Sequence, residues 1–142
     1  KTLAPVFQGL THEHDTATAL RDIGLRMITF LLSPHCVTID RVVAAEAKAF
    51  PELAHAFYDA GPRQGIAIMA TWLLEQHAAG RLHVSDPEFA AEQFFVLCQT
   101  RVAMRCRLRV GTPATAEAVA HVVDAAVTMF LNTYGSPSSN HR

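Results

Sequence analysis

The chain has 142 residues, half of them hydrophobic, a formal net charge of −1 and a pI near 6.8. Such a length and composition suit one domain with a substantial core. The charge balance excludes the basic footprint expected of a stand-alone nucleic-acid binder.

No apolar run reaches the ~18 residues that a membrane span needs, and the opening KTLAPVFQGL lacks the apolar stretch of a signal peptide. The cysteines, Cys36, Cys98 and Cys106, are odd in number. Cys98 and Cys106 fall on one predicted helix, and at ~1.5 Å per residue they lie about 12 Å apart, too far for a disulfide. A reducing, cytoplasmic setting is expected. The chain opens on Lys1 rather than Met, so a segment upstream is expected to be missing. Residues 11–135 are expected to form the domain, and the polar stretch 136–142, SPSSNHR, a disordered tail.

Helical spacing dominates, and no alternating run long enough for a strand is present. The first helix is predicted over residues 13–32, with Leu20, Ile23, Gly24, Met27, Ile28 and Leu31 as its stripe. Ser33-Pro34 ends it and starts a second, Ser as cap and Pro at the first helical position. Pro51 opens a third, which Gly80 closes, and Pro62 kinks or breaks it. Ser85-Asp86-Pro87-Glu88 starts a fourth, running to about Val110, and Thr112-Pro113 starts the fifth. The fold class is all-α, with five to six helices.

The fourth helix is apolar over more than half of its circumference, through Ala90, Ala91, Phe94, Phe95, Leu97, Cys98, Val102, Met104, Cys106 and Leu108. An ordinary surface helix has a narrower stripe. The fifth carries a similar excess. The two are expected to pair with their copies as a dimeric four-helix bundle, with Phe95, Val102, Cys106, Val119, Val123, Ala126, Val127 and Phe130 at the interface. The alternative is one large monomeric core. Arg101 and Arg105 project nearly in line with Phe94 on a continuous helix. Burying them requires a partner: a carboxylate such as Glu46 or Asp124, a contact across a dimer, or an acidic group on a ligand.

Catalysis finds no positive signal. His12-x-His14 sits in a polar stretch, and His35-Cys36 has no second pair to complete a metal site, so neither metal nor cofactor is expected. No nucleophile with an orienting base and no glycine-rich phosphate loop is evident. Aromatic and methionine residues spread over four helices either fill the core or line a cavity. Met27, Phe30, Leu31, Val43, Glu46, Phe57, Tyr58, Ile66, Met69, Ala70, Leu73, Phe94, Cys98, Arg101 and Arg105 are the candidates for an apolar ligand site with a few polar groups.

Three segments are informative by wording: EAKAFPEL from Glu46 with FYDAGP from Phe57, then DPEFAAEQF from Asp86, then AVTMFLNTYG ending at Gly135. Together they resemble the C-terminal domain of TetR-family transcriptional regulators of the AefR-like subgroup, over residues 20–135. The resemblance implies a homodimer formed by the last two long helices and an effector held between the others. It further implies operator binding through an N-terminal helix-turn-helix domain that this sequence does not contain, with residues 1–10 the remnant of the connection to it. Phe50 is expected to pack the corner ahead of Pro51. Glu46 either contacts the ligand, accepts hydrogen bonds at that corner, or pairs with an arginine.

Overall fold

The computed structural model describes Phe7 and residues 15–136. The expected connection at 1–10, apart from Phe7, lies outside the described residues, as do His12, His14 and the tail beyond Ser136. Seven α-helices are described: α1 Thr16–Leu31, α2 Pro34–Glu46, α3 Pro51–Ala60, α4 Pro62–Ala78, α5 Pro87–Leu97, α6 Val102–Leu108 and α7 Ala116–Tyr134. The fold is all-α, as expected. The helix count differs because two of the predicted helices are each broken in two.

Four of the starts are capped by side chains. Asp15 accepts from the Thr18 N–H at 3.0 Å, Ser33 from Cys36 at 3.3 Å, Asp86 from Phe89 at 3.1 Å and Thr115 from Ala118 at 3.1 Å. Each satisfies a donor that the first turn leaves without a partner. The last helix therefore starts at Ala116, a few residues beyond the predicted Thr112-Pro113. Pro51 and Pro62 both stand at helix starts without a side-chain cap. Phe50 does not pack the corner: it is 52% exposed, and its N–H is bonded to the Glu46 carbonyl at 2.8 Å.

The core forms where α1, α4, α5 and α7 meet. Leu20 and Ile28 of α1, Met69 and Leu73 of α4, Phe94 of α5, and Val123 and Phe130 of α7 are all at most 1% exposed. Phe94 and Phe130 meet edge to face at 5.3 Å, and Tyr134 stacks beyond them at 4.7 Å from Phe130. Around this core, the Thr16 hydroxyl donates to buried Gln76, and the Tyr134 hydroxyl to Gln93. The His83 N–H donates to the Tyr134 carbonyl at 2.7 Å, tying the loop after α4 to the end of α7. By contrast, α2 and α3 contribute no buried residue.

Helix α1 approaches its neighbours through Gly24. A Cβ there would lie 2.9 Å from Val123 Cγ1, 3.0 Å from Cys98 Sγ and 3.4 Å from Phe94 Cζ. All three neighbours are 0% exposed, so none has space to retreat. A half-exposed ion pair from Arg21 to Asp124, 2.6 Å, borders the same α1–α7 contact and contributes about 1 kcal/mol at most.

The second break replaces the long fourth helix that the apolar pattern predicts. At its end the Thr100 hydroxyl donates to the Leu97 carbonyl at 2.7 Å, and Gln99 Nε2 to the Phe95 carbonyl at 3.1 Å. These side chains take carbonyls that a continuing helix would use. Arg101 then adopts φ 71°, ψ −47°, and the Val102 N–H bonds the Thr100 carbonyl at 2.8 Å. That is a γ-turn of the rarer, strained hand. The Arg41 guanidinium of α2 donates to the Arg107 carbonyl at the far end of α6.

Two outcomes follow. Gly24→Ala, despite better helix propensity, lowers unfolding free energy by about 1–3 kcal/mol through overpacking, and Val123→Ala in the same chain recovers part of that loss in urea titrations. A stabilised Gly24→Ala would mean that the contact has slack. Arg101→Gly raises stability by up to about 1 kcal/mol by relieving the turn, whereas Arg101→Val lowers it. Equal denaturation midpoints for both variants would remove the strain from the account.

Candidate functional site

The break at Gly61-Pro62 divides one predicted helix into two, and residues on both sides of it line a cavity. Its volume is about 550 Å³ and it opens to the surface. Proline cannot supply the N–H that a continuous helix needs, and Gly61 takes φ −118°, ψ −84°, outside the helical range. Gly61 and Pro62 themselves form part of the wall.

Five helices supply the rest. Met27, Phe30 and Leu31 come from α1; His35, Cys36 and Ile39 from α2. Phe57 and Tyr58 come from α3 and Ile66 from α4, while Glu92, Phe95 and Val96 of α5 and Gln99 just beyond it close the other side. Phe7 also reaches the wall. The volume and the mostly apolar, aromatic lining with a few polar groups match the general character of small-molecule sites.

The polar groups are individually constrained. Gln99 uses its amide NH2 on the Phe95 carbonyl, which leaves its side-chain oxygen as an acceptor. Burial, assisted by Asp40, pushes the Cys36 thiol above its ordinary pKa and keeps it neutral. Arg63 lies over the Tyr58 ring, 5.8 Å from its centroid, and pairs with Asp59 at 2.9 Å. Among the described residues no group of three potential metal ligands comes together.

Of the expected ligand residues, Met27, Phe30, Leu31, Phe57, Tyr58 and Ile66 line this cavity. The others do not. Met69, Leu73, Phe94 and Cys98 are packed into the core at 0% exposure, and Ala70 packs against that core. Val43 and Glu46 lie beyond the half of α2 that meets the cavity, and Glu46 is exposed. Arg101 and Arg105 are also exposed: the γ-turn resets the direction of the chain, so they no longer project in line with Phe94. Asp124, a partner considered for them, is engaged by Arg21.

Several expected interface residues also face inward. Val102, Val123, Ala126, Val127 and Phe130 are buried within the chain itself, and Phe95 lines the cavity. Val119 and Cys106 are half-buried. The large apolar residues left outside on these helices are Phe89 and Val96 of α5, Met104 and Leu108 of α6, and Met129 of α7. The sequence signal for His35, Cys36 and Ile39 was their shared face in the first turns of α2. For Glu92 and Gln99 it was their spacing around Phe95 and Val96.

Comparison with known proteins agrees with this architecture. A family model described as the AefR-like transcriptional repressor C-terminal domain matches residues 18–136. The chain belongs to the TetR family of transcriptional regulators, as a C-terminal domain of the AefR-like type. Among solved structures it is similar to a protein from Mesorhizobium loti described as a TetR-family transcriptional regulator: TM-score 0.86 at 22% identity, covering 94% of this chain and 66% of that one. At that identity the likeness shows the fold. It is also similar to the flavonoid-responsive regulator FrrA, with TM-score 0.78 at 30% identity, covering 85% of this chain and 61% of that one. The chain thus spans just under two thirds of the length of either structure. No curated protein matches it.

Burial gives one outcome for the thiols. The Cys98 thiol, 0% exposed, is pushed from 9.0 up to about 12 by desolvation. The folded chain therefore keeps a proton that the unfolded chain releases, and stability falls as pH rises from about 9 towards 12. Cys98→Ala removes that part of the alkaline slope, which urea titrations across this pH range would measure. At pH 8 iodoacetamide labels Cys98 last, and only with global unfolding; early labelling would contradict its burial.

Proposed function

We propose that this domain senses a small, largely apolar effector and forms a homodimer, thereby controlling how a DNA-binding domain elsewhere in the full-length protein, working in the cytoplasm, engages its operator. The observation that carries this is the cavity: about 550 Å³, aromatic-walled and built from five helices beside the packed core, with Met27 belonging to both. TetR-family regulators typically bind DNA and small effectors as dimers. FrrA is described as flavonoid-responsive, and a planar aromatic compound is a suitable first class to try here.

Dimerisation is supported by the apolar groups left uncovered on α5, α6 and α7. Phe89 and Val96 are two helical turns apart on one face of α5, and Met104 and Leu108 one turn apart on α6, each more than half exposed. A second copy is the occupant that such a face suits, because its own identical face is available to it. Val96 also lines the cavity, so the proposed interface and the proposed effector site share a helix. An effector that binds one arrangement of the dimer better than the other shifts the population towards it, and only that difference in affinity does the work. Repression is the action that the family description favours.

Native mass spectrometry of the gently purified chain tests both parts. The expected result is a dimer mass, with a few hundred daltons added where an effector is retained. Met104→Glu with Leu108→Glu should raise the dimer dissociation constant by about tenfold or more, shifting the sedimentation coefficient towards that of a monomer while helicity is kept. A dimer indifferent to that pair, or a monomeric wild type, would place the uncovered face in some other role.

A further inference from the structure

The charge on the cavity wall narrows the class of effector, an inference that rests on the effector-binding role just proposed. Among the described residues the wall carries one carboxylate, Glu92, and no lysine or arginine. His35, Cys36 and Tyr58 are its other titratable groups. Arg63 approaches through the Tyr58 ring, on which it lies, and its charge is already matched by Asp59. The rings of Phe30, Phe57 and Phe95 add the negative faces of their π systems.

Charges interact more strongly inside such a wall than in bulk water. An anion entering it would stand near Glu92 with no lysine or arginine on the wall to offset it, and would lose its hydration as well. A cation would gain both the carboxylate and the aromatic faces. A neutral compound would keep its apolar gain, and its N–H or O–H donors could use Glu92 or the free oxygen of Gln99. The geometry points to a charge-selective cavity that admits neutral or singly cationic aromatic compounds and excludes anionic ones.

A matched pair of fluorescent probes tests this on the intact chain. N-phenyl-1-naphthylamine is neutral, and 8-anilino-1-naphthalenesulfonate is the same skeleton with a sulfonate; thioflavin T supplies an aromatic cation. In fluorescence titrations the sulfonate is expected to bind about tenfold or more weakly than the amine, with the cation at least as tight as the amine. Glu92→Gln narrows the gap between amine and sulfonate, and Glu92→Lys reverses it. Ile66→Trp narrows the cavity and weakens binding of the probes, which separates cavity binding from adsorption to the exposed face; Phe57→Trp is the second filling variant should the first lose helicity. If the sulfonate binds as tightly as the amine and both are displaced by filling, the cavity stands and charge selection falls. If no probe binds, or filling changes nothing, the effector role itself fails and takes this inference with it.

Discussion

The close approach of α1 to α5 and α7 at Gly24 sets the positions of the elements around it. Because no side chain intervenes, Val123, Cys98 and Phe94 come within van der Waals reach of the α1 backbone. Phe94 is then held against Phe130, and Tyr134 against Phe130 in turn. The result is a packed seam in which Phe94 and Phe130 are fully buried and Tyr134 closes the outer end, half-buried and bonded to Gln93. The cavity lies elsewhere, where Phe30, Leu31 and Met27 point off the end of the same helix towards α2 and α3.

Packed core and open space thus draw on different faces of the same helices, with Met27 at the boundary between them. One set of apolar residues is compressed to 0% exposure, and another, on the same helices, is left facing a space. The break at Gly61-Pro62 falls within the wall itself, between Phe57 and Tyr58 on one side and Gly65 and Ile66 on the other. Proline at the start of α4 makes this a covalent property of the sequence, independent of what surrounds it.

Much of the fold was legible in the sequence because its boundaries are written in local chemistry: Ser33 and Asp86 as caps, and Pro34, Pro51, Pro62 and Pro87 at the first positions. The break at Arg101 was not, because no glycine or proline marks it. It is made by Gln99 and Thr100 bonding back to carbonyls of the preceding turn, which competes with helix continuation only weakly in a sequence reading. That single miss accounts for the wrong placement of Arg101 and Arg105. The inward orientation of Val123, Ala126, Val127 and Phe130 was illegible for another reason: an apolar helix face does not say whether it meets its own chain or a copy. For the cavity, the aromatic residues were found, but periodicity alone could not distinguish Phe57, which faces the space, from Phe94, which is packed solid. On α2 it could not tell that the first turns, and not Val43 or Glu46, meet the cavity.

Residues 34–60, which make up α2 and α3, carry no buried side chain and lend none to the core cluster. Few buried apolar contacts are the mark of a segment that opens at a lower free energy than a packed core. The amides of α2 and α3 therefore exchange with solvent on a faster scale than those of α1, α4, α5 and α7. Two of the helices that wall the cavity therefore belong to the least buried part of the described chain. A compound bound there would add apolar neighbours to α2 and α3. Part of its gross affinity would then be spent on ordering the wall, and the rest would appear as free energy of association.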